Sequence, residues 1–215
     1  MRKKWLILGV GGHGRVVLDT LLIHGFAQQA LGFVVPDPVV HDASICGIPL
    51  LWEEEMLRNY SPDQVVLVNG LGGVGDTEPR AKIFQKFTAL GYSFLTVVHP
   101  WAVVSASAVL GPGVQVMAGA IIQTGSRVGE NTIVNTRAVI DHDGQIGAHV
   151  HIAPGAVLSG GVEVGERSHI GTGATVIQGI RLGRSVLVAA GAVVVRHVAD
   201  GVKVVGVPAM EISYG

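Results

Sequence analysis

The run Ile140-Asp141-His142-Asp143 sets an imidazole directly beside a carboxylate. A carboxylate at that position favours the protonated ring and fixes its tautomer, which suits a general base working near neutral pH. The competing reading is that Asp143 fills a tight corner and His142 is an exposed corner residue. Near the other end of the chain, Gly9-Val10-Gly11-Gly12-His13-Gly14 follows a short apolar strand at 5–8 and precedes a helix at 15–25. That is the order of a phosphate-binding βα unit, in which glycines let backbone N–H groups approach a diphosphate at the positive end of the helix. A second strand at 31–35 ends at Asp37, which could accept hydrogen bonds from a ribose or a base. Alternatively, the turn only packs the helix on the sheet and Asp37 is a solvated turn residue. His151 and His169 lie 18 residues apart. Such a stacked pair could hold a metal between subunits, but no compact ligand spacing accompanies it, and no metal is expected.

The element that must position His142 is a repeat. From Val104 to Val194 an aliphatic residue returns at every sixth position, sixteen times without a miss. A six-residue period fits neither an α-helix nor a heptad coil and is the signature of hexapeptide β-helix repeats. Three hexads make one triangular coil, so residues 18 apart stack at strand spacing, roughly 4.8 Å. The aliphatic column fills the axis. A second, mostly small column, four residues after each anchor, fits the crowded corners. The residue three after each anchor is Gly in eight of the sixteen hexads, and Asn131 or Asp143 in two more, so this column marks a corner at positive φ. His142, one residue earlier, occupies the first corner position, where side chains project out of the prism.

The outward residues differ by face. Beside Val128, Ile146, Val164 and Leu182 stand Arg127, Gln145, Glu163 and Arg181, so that face should be wet. Beside Val104, Ile122, Ile140, Leu158, Val176 and Val194 stand Val103, Ile121, Val139, Val157, Thr175 and Val193, with Thr175 the one polar exception. A strand that is apolar on both sides needs cover on both sides, which points to burial between subunits and, for a threefold prism, a homotrimer.

The chain has 215 residues, 48% hydrophobic and 14% charged, enough for one or two globular domains. A net charge of -1 with nine scattered histidines gives no electrostatic case for nucleic acid or an anionic membrane. Cys46 stands alone, which excludes an internal disulfide and fits a reducing, cytoplasmic compartment. Arg2, Lys3 and Lys4 precede only a short apolar run, so no secretory signal is read. The uncharged stretch 100–126 carries glycines locked to the hexad period, which argues for coils and against a membrane span. Ahead of the repeat, a third strand at 64–68, a helix at 79–90 and a fourth strand at 93–97 complete an α/β half domain. The helix at 15–25 should bury Val16, Val17, Leu21 and Leu22. Four strands suffice for one nucleotide rather than a dinucleotide. The expected domains are 1–99, nucleotide-binding; 100–200, the repeat; and 201–215, a tail.

Together, the Gly-Val-Gly-Gly-His-Gly turn, Gly91-Tyr92 through Val98-His99-Pro100, the hexads with His142-Asp143, and Val205-Gly206-Val207-Pro208-Ala209 resemble the NeuD/PglD-like sugar acyltransferases. The resemblance covers essentially the whole chain. It implies a Rossmann-like half domain followed by a left-handed parallel β-helix, and a homotrimer with acetyl-CoA between neighbouring prisms. In that family's pattern His142 is the base, Asp143 raises its basicity and Asn135 shapes the pocket. His151 contacts the acetyl group or thioester, the Gly160 N–H polarises its carbonyl, and Thr172 and Ala190 contact CoA. Gly11, Gly12, His13, Asp37 and Gly70 match nucleotide-sugar contacts. The chain departs from the pattern at Met210, where Lys or Arg is usual, and in the longer, glycine-richer loop 69–78. The implied activity is N-acetylation of a nucleotide-linked 4-amino-4,6-dideoxysugar. Alternatives are O-acetylation of sialic acid, a nonenzymatic nucleotide-binding scaffold, and a metal-dependent hydratase.

Overall fold

The computed structural model describes residues 3–36 and 44–212; Asp37 lies outside them. The chain divides into two compact units, Met1–Gly72 with Lys82–Leu95, and Gly73–Ala81 with Thr96–Gly215. The division after residue 95 differs from the expected 99, and the segment Gly73–Ala81 groups with the repeat.

In the first unit the order is β1 (Lys4–Leu8), α1 (Gly12–Ile23), β2 (Ala30–Val35), β3 (Ser44–Ile45), β4 (Ile48–Trp52), α2 (Glu53–Asn59), β5 (Val65–Asn69) and α3 (Glu78–Ala89), the last beginning in residues grouped with the other unit. Among the described residues these form a five-stranded sheet in the order β3-β4-β2-β1-β5. It is parallel apart from the β3/β4 hairpin. Residues Trp5 to Leu8 are all buried, as a central strand covered on both faces requires.

Three expectations are corrected here. The strands number five because β3 and β4 were not anticipated. They are joined through Cys46 and Gly47, both at positive φ, a two-residue hairpin whose Cys-Gly sequence lacks the usual Asn-Gly signal. The expected strand at 93–97 contributes only an isolated bridge from Phe94 to Leu67, and Val97–Val98 pairs instead within the repeat. In α1 the buried side is Val17, Leu18 and Leu21, whereas Val16 is 46% and Leu22 37% exposed. A helix starting at Gly12 turns those two flanking residues outward.

In the second unit each hexad forms a two-residue strand, and strands 18 residues apart pair in parallel: Ile121 with Val139, Arg127 with Gln145, Ile133 with His151. Three stacked sheets result, and the aliphatic column is buried as one axial core. The corner column lies at positive φ without interruption from Gly113 to Gly191, and includes Arg137, His149, Arg167 and Ser185 beside the expected Gly, Asn and Asp. Stacking therefore imposes the corner geometry even where the residue does not favour it. Lys203–Val205 pairs with Leu187–Val188, so part of the expected tail extends a sheet of the prism.

The three faces differ as their outward residues dictate. Arg127, Gln145, Glu163 and Arg181 are exposed, Val103 and Val157 are exposed, and Ile121, Val139 and Val193 are half-buried. On the third face Gln115, Ile133, His151 and His169 are buried. The segment Gly73–Ala81 is fastened beside them: Thr77 Oγ1 donates to the Arg167 carbonyl (3.0 Å), Arg80 Nε donates to the Asn131 carbonyl (3.0 Å), and Asn131 Nδ2 donates to the Arg80 carbonyl (3.3 Å). Among the described residues no helix is long and apolar enough to cross a membrane.

Candidate active site

His142 stands two residues past Ile140, at a corner, with 49% of its side chain exposed. Its backbone N–H donates to Asp141 Oδ1 (2.7 Å), and its Nδ1 lies 2.9 Å from Asp143 Oδ2. A carboxylate can only accept, so Nδ1 carries the proton and the lone pair is on Nε2. That hydrogen bond, with smaller help from the Asp141 and Asp143 charges against a small desolvation, raises the imidazole above its usual pKa. Asp143 sits at φ 60° and is thus both the corner residue and the partner of His142, so filling the corner does not prevent its pairing with the imidazole.

Two glycines make room for this pair. A Cβ on Gly125, one coil below, would overlap Asp143 Oδ1. A Cβ on Gly160, one coil above His142, would lie 2.5 Å from Cε1 and 2.9 Å from Cδ2 of its ring, and closer still to Nε2. The basic edge of the ring therefore rests on the Cα of Gly160. Gly160 is not among the residues at positive φ, so its lack of a side chain serves the histidine rather than the turn. The sequence held this signal: among the sixteen residues at that hexad position only Gly160 is glycine. Its N–H makes no backbone hydrogen bond among the described residues.

Asn135 and His151 are brought together. Asn135 Oδ1 accepts from the Thr136 N–H (2.8 Å), which turns its Nδ2 toward His151 Nε2 (3.1 Å). His151 Nδ1 donates to the Gly73 carbonyl. Both ring nitrogens are thus engaged within the chain and the ring is buried, which leaves it no lone pair to serve as a base in this conformation. His169 stacks edge-on against His151 at 4.9 Å between ring centroids, with its ring buried near the Gly73 backbone. Burial lowers its pKa, against a smaller opposing effect of a hydrogen bond to the Gly73 backbone, and so favours the neutral ring. No group of three or more His, Cys, Asp or Glu side chains converges to hold a metal among the described residues. A polar cluster that sequence reasoning missed is Arg80, Asn131 and His149, all buried, with Asn131 Nδ2 3.0 Å from His149 Nδ1. It depends on residues 51 and 18 positions apart, which only the tertiary fold brings together.

Thr172 and Ala190 are exposed and lie one above the other on a different prism edge from His142, where the Gly191 N–H donates to the Thr172 carbonyl (2.8 Å). In the first unit, Gly11 is the N-cap of α1, with φ -66° and no side-chain cap, and a Cβ on Gly11 or Gly12 would meet nothing within 4 Å. There is thus room for a bulky group beside the glycines at the start of α1, the end of a helix that favours an anion. His13 is half-buried, its Cβ 3.5 Å from where Gly72 would carry one. Gly14 and Gly70 are different: a Cβ on either would press on the Gly9 carbonyl. Gly70 is buried and its N–H donates to the Leu8 carbonyl (2.8 Å), so its visible work is to let two strand ends close on each other.

The PglD N-terminal domain profile matches residues 4–87, and the bacterial transferase hexapeptide profile (six repeats) matches residues 143–178. The chain is similar to the acetyltransferase domain of PglB from Neisseria gonorrhoeae FA1090, solved in complex with acetyl coenzyme A, with a TM-score of 0.89 and 38% identity over 99% of this chain and 100% of that one. It is also similar to a histidine-to-asparagine variant of perosamine N-acetyltransferase from Caulobacter crescentus in complex with CoA and GDP-perosamine, with a TM-score of 0.88 and 38% identity over 98% of this chain and 97% of that one. UDP-N-acetylbacillosamine N-acetyltransferase from Bacillus subtilis (strain 168) is 40% identical over 120 residues, 54% of this chain and 52% of that protein. The match thus spans about half the length of that relative.

Proposed function

This chain belongs to the NeuD/PglD-like hexapeptide-repeat sugar acyltransferases, and from that premise we propose that it moves acetyl from acetyl-CoA to the 4-amino group of a nucleotide-activated 4-amino-4,6-dideoxyhexose. The observation that carries the reading is the exposed His142, with Nδ1–H held by Asp143 and Nε2 unprotonated over Gly160. The neutral amine attacks the thioester carbonyl and forms the C–N bond. Nε2 accepts the proton that the nitrogen sheds, while the Gly160 N–H stabilises the developing oxyanion. As the tetrahedral intermediate collapses, the C–S bond breaks and the departing thiolate takes a proton, for which protonated His142 is the donor. Asp143 stabilises the imidazolium in between.

The glycine-rich start of α1, with room beside Gly11 and Gly12, supports binding of the diphosphate of the sugar nucleotide in the first unit, with His13 next in sequence. Asn135, Thr172 and Ala190 contribute to the pocket and the CoA path. The apolar stripe Val103, Ile121, Val139 and Val157 supports a homotrimer in which acetyl-CoA lies between neighbouring prisms, and the lone Cys46 supports a cytoplasmic setting. The similarity to proteins solved with acetyl coenzyme A and with GDP-perosamine supports both substrate classes.

Thiol release from acetyl-CoA, measured against UDP-, GDP- and dTDP-linked 4-aminosugars and against free sialic acid, tests the proposal. Release with at least one 4-aminosugar nucleotide, reduced about 10²–10⁴-fold by His142→Ala, is the expected result. Acetylation of sialic acid alone, or no release with any acceptor, overturns it.

A further inference from the structure

The edge of the prism that carries His142 continues upward in a definite chemical order. Parallel pairing of Val139 with Val157, Val157 with Thr175, and Thr175 with Val193 keeps the strands in register. The residues two positions past Ile140, Leu158, Val176 and Val194 therefore form one column: His142, Gly160, Gln178 and Arg196. Beside them Ile177 and Val195 are exposed apolar side chains, and Gly161 and Gly179 supply no side chain. Read from the base outward, the edge offers a catalytic imidazole and a bare backbone. Apolar surface with a carboxamide comes next, and a guanidinium ends the edge.

That order matches an acyl-CoA laid along the edge: thioester, then an arm of methylenes broken by two amides, then a diphosphate. The lengths agree as well. Three coils at strand spacing put Arg196 roughly 14 Å above His142. The arm from sulfur to the first phosphorus has about thirteen bonds and spans roughly 15 Å when extended like a peptide. Arg196 is exposed and makes no ion pair among the described residues, unlike Arg167 with Glu78 and Arg181 with Glu163. A cavity of about 330 Å³ opens beside it, lined by Arg196, His197, Val194, Val204, Met210 and Glu211 among others.

We propose that Arg196 is the residue that binds the diphosphate of the acyl carrier, and so fixes how far along the edge the thioester lies. The proposal rests on the reading that the chain uses acetyl-CoA. A guanidinium suits the role because it presents several donors in a planar fork to phosphate oxygens and keeps its charge at any working pH.

The test compares wild type, Arg196→Ala and Arg196→Lys in two measurements. Calorimetric titration with CoA needs no acceptor, and steady-state rates are taken with acetyl-CoA and with S-acetylpantetheine, which lacks phosphates. Arg196→Ala should weaken CoA and raise the KM for acetyl-CoA about tenfold or more, with the KM for S-acetylpantetheine and for the sugar nucleotide unchanged. Arg196→Lys should recover part of the loss. Unchanged CoA affinity in Arg196→Ala, or equal weakening of both donors, overturns the assignment while leaving the acetyltransferase reading intact. Failure of the wild type to bind CoA overturns both.

Discussion

Gly160→Ala isolates the contact on which the proposed chemistry rests. The substitution keeps the backbone N–H and, since Gly160 is not at positive φ, adopts the native backbone without strain. The added methyl would sit 2.5 Å from His142 Cε1 and closer to Nε2, where ordinary contact begins at 3.4 Å. The imidazole must move by about an ångström or rotate to another χ1 well. With half its surface in solvent it can do so at a cost of about 0.5–1.5 kcal/mol. The fold should therefore survive with Tm nearly unchanged, while the base is displaced from its working position. Turnover should fall by about the 10²–10⁴-fold expected for losing the base altogether, and Gly160→Ala combined with His142→Ala should be no worse than His142→Ala alone. Gly161→Ala is the control: its Cβ meets nothing, but its φ of 65° strains any side chain, so it should lower Tm with little effect on turnover. The assay is thiol release beside thermal melts of all four variants. Near-wild-type turnover in folded Gly160→Ala, or additive losses in the double variant, would refute the reasoning.

Four further outcomes are expected. Asp143→Asn removes the acceptor that raises the His142 pKa, so the acidic limb of the rate profile should move to lower pH; an unmoved limb would detach that limb from His142. Gly11→Val has room to fold, because its Cβ meets nothing within 4 Å, and should raise the KM for the sugar nucleotide far more than that for acetyl-CoA, whereas equal losses would argue against a diphosphate at the α1 start. Val139→Asp should dissociate the proposed trimer in light scattering, since each apolar side chain on that stripe contributes about 1.5–3 kcal/mol when fully covered; a folded trimer would show the stripe lies elsewhere than the interface. His149 and His169 have pKa values lowered chiefly by burial, so the folded state holds them neutral. Their contribution is present above the unfolded value of about 6.5 and is lost as pH falls below it toward the folded values. Tm should drop from pH 7.5 to 5, and less steeply in His149→Gln, with equal slopes counting against the assignment.

The prism was legible because its determinants are local and repeated. The six-residue return of Val104 to Val194 locates the axis, the small column locates the crowded corners, and Asp143 at the third position after Ile140 falls on a positive-φ corner as read. In parallel coils, register follows from period, so His142 over Thr124 and under Gly160 could be counted off the sequence. The family came from motifs at both ends of the chain, and with it the left hand of the coil, which spacing does not determine. The hairpin Ser44–Ile45 and Ile48–Trp52 was missed because Cys46-Gly47 lacks the usual turn chemistry and Pro49 breaks the strand pattern. What only the tertiary structure decided are contacts without a period: Gly73 on His151, and Arg80 on Asn131 and His149. Their partners come from a segment whose own residues show no affinity for the face they cover. A hydrogen bond between residues 78 positions apart leaves no trace in local pattern, because its two partners are neighbours only in the stacked repeat, where His151 is buried and its ring nitrogens must be satisfied.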